Sequence, residues 1–153
     1  MLRPVAVRSR LLPRLLLMAE RTVLFVCVEN AARSLMAEAF FNADPPDGWR
    51  ARSGGTAPAP SPNARTGPML RERGLSLPDH PPRAVTPAEI AAADRRITMG
   101  CLDSASCPAR LRELPVEDWA LPDPARLDDV GFRRVRDEIG DRVARLKRDL
   151  APR

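Results

Sequence analysis

Apolar residues along this chain fall in short blocks whose spacing switches between strand and helix periods. Thr22–Cys27 (TVLFVC) is continuously apolar and β-rich, the pattern of a strand buried on both faces. Arg33–Ala43 follows at helical spacing, with Leu35, Met36, Ala39 and Phe40 on one side. A strand, a tight loop and a helix make the front half of a βαβ unit. Trp49–Ser53 predicts a second strand, ended by Gly54-Gly55, and Asn63–Arg73 a helix closed by Gly74. Pro78, Pro81 and Pro82 make Leu75–Val85 a loop. Thr86-Pro87-Ala88-Glu89 signals a helix start, in which Thr86 caps, Pro87 suits the first helical position and Glu89 reaches back. Arg95–Met99 reads as a third strand and Val116–Trp119 as a short fourth. Asp128–Leu150 predicts the longest helix, with Phe132, Val135, Ile139, Val143 and Leu146 along one face. The alternation predicts an α/β fold, a parallel sheet covered by helices on both faces.

At 153 residues the chain suits one compact domain. Only 4% of residues are aromatic and none is Tyr, so the core must rest on aliphatic side chains and Met. A net charge of +5, carried almost wholly by Arg, raises nucleic acid as a partner. Arg is spread along the chain without interleaved aromatics for base stacking, so no nucleic-acid partner is expected. No apolar run approaches the ~20 residues of a membrane span, so no membrane partner is expected either. Residues 1–20 carry Arg3, Arg8, Arg10 and Arg14 and a Leu run broken by Pro13. We expect this stretch to be an extension outside the fold, disordered or preceding the natural start; a targeting segment is the competing reading. Three cysteines, Cys27, Cys101 and Cys107, are an odd set that argues against a secreted disulfide scaffold and for a reducing, cytoplasmic setting.

Chemistry concentrates in Cys27-Val28-Glu29-Asn30-Ala31-Ala32-Arg33-Ser34, where the buried strand hands over to a helix. Ligands of open α/β sheets sit at the carboxyl ends of strands. A loop there can turn successive backbone N–H groups of Val28, Glu29, Asn30, Ala31 and Ala32 inward as an anion nest, and the helix start adds its own free N–H groups. Those donors stabilise a thiolate at Cys27. Arg33 supplies a planar fork for two oxygens of a tetrahedral anion, Ser34 a hydroxyl for the sulfur, and Asn30 a brace for the loop. Nucleophile and charge clamp thus come from one short segment. A buried Cys beside a surface Arg is the plainer alternative.

The segment resembles the phosphate loop of the low-molecular-weight protein tyrosine phosphatase family, including its arsenate reductase branch. The family pattern Cys-x-x-Asn-x-x-Arg-Ser is matched by Cys27, Asn30, Arg33 and Ser34. Ser53-Gly54-Gly55-Thr56, Ile97–Cys101, Glu117-Asp118-Trp119, Leu121-Pro122-Asp123-Pro124 and Phe132–Ile139 are similar as well. The resemblance covers residues 21–150 and implies a single three-layer domain with a four-stranded parallel sheet flanked by helices. Two departures matter. Glu29 stands where many phosphatases have Gly, so its carboxylate must point away from the anion or weaken its binding. Ala32 stands where some members have a second Cys, which rules out a disulfide within the loop.

Departure of an oxygen leaving group needs a proton. On the residues alone, Asp123 is either the cap of a turn before Pro124 or a proton donor. The resemblance implies the general acid, with Asp118 as fallback. Phosphotyrosine phosphatases usually carry Tyr after this Asp-Pro pair, whereas here the residue is Ala125. Cys101 and Cys107 are, by themselves, a redox pair, two structural cysteines or half of a metal site. Three Cys and one His without Cys-x-x-Cys spacing make a poor zinc set, so no metal and no tightly bound cofactor is expected. Thioredoxin-coupled arsenate reductases of the family carry such a pair, in a loop expected to be mobile. The resemblance therefore implies arsenate reduction, with Cys27, Arg33, Asp123, Cys101 and Cys107 as catalytic residues and electrons from thioredoxin or a similar thiol donor. A phosphatase hydrolysing phosphomonoesters is the alternative, and a non-catalytic oxyanion-binding protein a third. His80, in the Pro-rich loop, is read as structural or solvent-facing.

Overall fold

A computed structural model describes residues 20–152. The extension read over 1–20 therefore lies, apart from Glu20, outside the described residues. Four strands form one parallel sheet in the order β2-β1-β3-β4: β1 Arg21–Cys27, β2 Trp49–Gly55, β3 Arg95–Thr98 and β4 Glu117–Asp118. β1 is central, paired with β2 along its whole length and with β3 over Val23–Val26. Its side chains alternate between two apolar clusters. Val23, Phe25 and Cys27 enter the larger one, and Leu24 and Val26 the smaller.

The larger cluster lies under helices α1 (Arg33–Ala43) and α5 (Asp129–Leu150). Phe25 meets Phe41 edge-on at 6.3 Å and Trp119 at 5.7 Å between ring centroids. The expected face of α5 is the one buried, capped by the Asp128 carboxylate accepting from Gly131 N–H at 2.8 Å. The α1 expectation needs correction. Arg33 through Glu38 and Phe41 are buried, whereas Ala39 and Phe40 are only partly covered. The helix is enclosed by the sheet and α5 together, so a one-sided stripe does not describe it.

The opposite face carries short helices α3 (Pro87–Ala92) and α4 (Ala109–Glu113) over the smaller cluster. The box at the start of α3 is present as read: Glu89 N–H donates to Thr86 Oγ1 at 3.1 Å and Thr86 N–H to Glu89 Oε1 at 3.2 Å. α2 covers only Thr66–Arg71, shorter than the expected Asn63–Arg73. Asn63 Oδ1 accepts from Arg65 N–H instead of leading a helix, and Gly74 at φ +71° closes the far end. The fourth strand is two residues long rather than four. No described helix is long and apolar enough to cross a membrane.

Candidate active site

The loop between β1 and α1 is built by its carbonyls. Cys27, Val28 and Glu29 C=O accept from Thr56, Ala57 and Ala59 N–H at 3.1, 2.8 and 2.9 Å. Ala31 C=O accepts from Asn63 N–H at 3.0 Å and from Thr66 Oγ1 at 2.8 Å. Segment 56–66 thus holds the loop by its acceptors and not by the N–H groups of residues 28–32. None of them donates to a protein acceptor among the described residues. A row of amides left without protein acceptors is a donor set that can receive an anion.

Asn30 makes the bend, with φ 51°. Its buried side chain donates to Ser34 Oγ at 2.7 Å and Ser53 Oγ at 3.0 Å, and accepts from Arg83 N–H at 3.0 Å. Its bracing role therefore runs through two hydroxyls and one distant amide. Gly55 packs directly behind it: a Cβ there would stand 2.6 Å from Val28 O and 3.1 Å from Asn30 Cβ. Cys27 is buried, with Sγ 2.9 Å from Ser34 Oγ.

Arg33 is buried and donates to Leu121 O at 3.1 Å. It pairs with no carboxylate among the described residues, so the buried guanidinium has N–H groups left over that an anion could satisfy. Gly100, at φ +79°, leaves room for it: a Cβ there would meet Arg33 Nη1 at 3.0 Å.

Cys27, Arg33 and Asp123 line one small pocket together with Glu29, Ala31, Ala32, Asn63 and Ala125. The cap reading of Asp123 is seen, and the residue also lines the pocket. Its Oδ1 caps a 3-10 turn, Pro124–Arg126, by accepting from Ala125 N–H at 3.0 Å, and its carboxyl lines the pocket. Asp118, the fallback, lies elsewhere: it accepts from Thr98 Oγ1 at 2.6 Å and lines a different groove with Trp119 and Arg142. Glu29 is exposed at the rim of the Cys27 pocket.

Cys101 and Cys107 are free thiols in the smaller apolar cluster. Burial pushes the Cys101 thiol up to about 12, and the neighbouring sulfurs of Cys107 and Cys27 add to the rise. The Cys101 thiol also donates to Val26 O, one residue before Cys27, at 3.7 Å. The loop between Cys101 and Cys107 carries hydrogen bonds at both ends: Arg112 donates to Leu102 O and Ser104 O, and Ser106 Oγ donates to Thr56 Oγ1 at 2.9 Å.

His80 is half-buried and structural, its Nε2 2.8 Å from an oxygen of buried Glu38. Burial raises the Glu38 pKa, and His80 opposes that rise. Sequence reading missed Asn63, Arg65, Thr66 and Arg83 as supports of the site. Asn63-x-x-Thr66 before a helix was the one available signal.

Comparisons with known proteins agree with this geometry. The family model for low molecular weight phosphotyrosine protein phosphatase matches residues 22–152. An arsenate reductase of Bacillus licheniformis is 34% identical over 137 residues, covering 84% of this chain and 96% of that protein. The crystal structure of an arsenate reductase from Archaeoglobus fulgidus superposes with a TM-score of 0.66 at 37% identity, covering 81% of this chain and 97% of that one. A thioredoxin-dependent arsenate reductase of Corynebacterium glutamicum gives 0.70 at 29% identity, covering 97% and 75%. With its loop, its sheet order and these matches, the chain belongs to the low molecular weight phosphotyrosine protein phosphatase family.

Proposed function

We propose that the chain is an arsenate reductase in which three thiols pass two electrons to one bound oxyanion. Arsenate rests against the amides of residues 28–32 and the Arg33 fork. The Cys27 thiolate, hydrogen-bonded by Ser34, attacks arsenic. Asp123 gives a proton to the departing oxygen, which leaves as water. Cys101 then attacks Cys27 Sγ. The arsenic–sulfur bond breaks with its electron pair on arsenic, arsenite leaves, and a Cys27–Cys101 disulfide remains. Attack by Cys107 on Cys101 releases Cys27 and forms a Cys101–Cys107 disulfide. A thiol donor reduces that bond; we assign it to a thioredoxin-like protein, as the name of the Corynebacterium relative suggests.

The observation that carries this reading is that the Cys101 thiol donates to Val26 O, one residue before Cys27, at 3.7 Å, with Cys107 in the same apolar cluster. A phosphatase returns its cysteine with water and has no use for the second pair. The pocket walls beside Asp123 are Ala31, Ala32 and Ala125, with no aromatic side chain to hold an aryl ester. That also favours an inorganic anion.

Cys101→Ser tests the proposal. The variant should carry out the first attack and hold the Cys27–arsenic adduct without releasing arsenite, while wild type cycles with thioredoxin. Unchanged multiple turnover by the variant would end the relay. Brisk hydrolysis of an aryl phosphate, indifferent to loss of Cys101 and Cys107, would support the phosphatase instead. Tight phosphate binding with no turnover of either substrate would leave only oxyanion capture.

A further inference from the structure

We propose that Arg65 is a positioning residue for Asp123, setting where the acid stands relative to the Cys27 loop. The inference rests on the reading of Asp123 as proton donor. The turn that carries Asp123 is shaped by bonds internal to itself: Ala125 N–H to Asp123 Oδ1, Arg126 N–H to Asp123 O at 3.2 Å, and Leu127 N–H to Pro124 O at 3.0 Å. These fix the form of the turn but not its place. Among the described residues, the long-range hydrogen bonds reaching 122–127 come from Arg65 alone, whose Nη2 donates to Pro124 O at 3.2 Å and Ala125 O at 3.3 Å.

Both ends of Arg65 are anchored. At its head, Nη1 donates to Asp129 Oδ1 at 3.1 Å, and the guanidinium lies 4.7 Å over the Phe132 ring at the start of α5. At its root, Arg65 N–H donates to Asn63 Oδ1 at 2.9 Å. Asn63 and Thr66, on either side, hold the Ala31 carbonyl of the oxyanion loop. One side chain therefore spans from the support of that loop to the turn bearing the acid. The planar fork serves two carbonyls and a carboxylate together, which a lysine cannot do. Arg65 does not line the Cys27 pocket, so it acts at a remove, and the two-background comparison below tells the Asp123 route from one through Asn63.

The experiment follows arsenite released in the first turnover by reduced full-length protein, with arsenate varied, in four variants: Arg65→Ala, Arg65→Lys, Asp123→Asn and the Arg65→Ala/Asp123→Asn pair. Arg65→Ala should slow the first turnover about tenfold, the scale of a displaced catalytic group, with the half-saturating arsenate concentration moving by less than about twofold. Arg65→Lys should recover only part of the rate. In the Asp123→Asn background, Arg65→Ala should cost less than about twofold, because the group it positions is gone. An equal loss in both backgrounds, or a changed half-saturation at unchanged rate, overturns the positioning role and leaves the acid assignment standing. Asp123→Asn at the wild-type rate overturns both. Should Arg65→Ala fail to give a cooperative thermal transition, Arg65→Lys carries the same two-background comparison.

Discussion

Replacing Asn30 with Ala measures how much of the fold's stability is invested in the shape of the oxyanion loop. The side chain is fully buried and makes three hydrogen bonds, to Ser34, Ser53 and Arg83, while its backbone sits at φ 51°. Each bond contributes about 1 kcal/mol net, and a stranded buried partner such as the Arg83 amide costs about 1–3 kcal/mol. A left-handed backbone adds roughly 1 kcal/mol for Ala. The sum is about 5–7 kcal/mol, a large share of the ~5–15 kcal/mol that holds a domain of this size. Urea unfolding followed by the fluorescence of buried Trp49 and Trp119 reads this directly. Asn30→Gly separates the terms: it relieves the backbone and leaves the bonds missing, so it should recover about 1 kcal/mol relative to Ala. First-turnover arsenite release should fall in both variants, since both free the loop. A loss under about 1 kcal/mol in Asn30→Ala, or a wild-type Asn30→Gly, would refute the bracing argument.

Two further outcomes follow from the same geometry. Gly55→Ala places a methyl 2.6 Å from Val28 O, so the loop must shift; arsenate should then protect Cys27 from alkylation far less well, and protection at wild-type concentrations would contradict the close packing. Glu72 is held down from 4.5 to about 2 by hydrogen bonds from Arg133 and Arg136, so its contribution is present above pH 4.5 and is lost as pH falls toward 2. Glu72→Gln should therefore flatten the acid limb of stability in that window, and a limb as steep as wild type would show the cluster to be idle.

The centre of the molecule was legible because its signals are local. TVLFVC carries its strand in six adjacent residues, and the shift to helical spacing at Arg33 places the loop between them. Asn30 to Ser34 is likewise a contact within one turn of chain. The supports were not legible, because they join residues remote in sequence. Arg83 N–H reaches Asn30 across 53 positions, and Arg65 reaches Pro124 across 59. Helix α4 escaped notice because only Leu111 in it is buried, which leaves no periodic stripe. The burial of Cys101 was hidden for a similar reason: LDSAS between the two cysteines is polar, yet its turn folds both sulfurs onto Val85, Ile90 and Leu111.

The central strand partitions the interior. Phe25, Phe132 and Trp119 fill one compartment, and the two auxiliary thiols sit with Leu111 and Ile90 in the other. In the proposed relay, exchange between Cys101 and Cys107 draws on a handful of aliphatic contacts and a short helix, whereas the Cys27–Cys101 step joins the two compartments. Under that proposal, wear confined to the Cys101–Cys107 pair would fall on the lesser half of the structure, away from the half that holds Cys27.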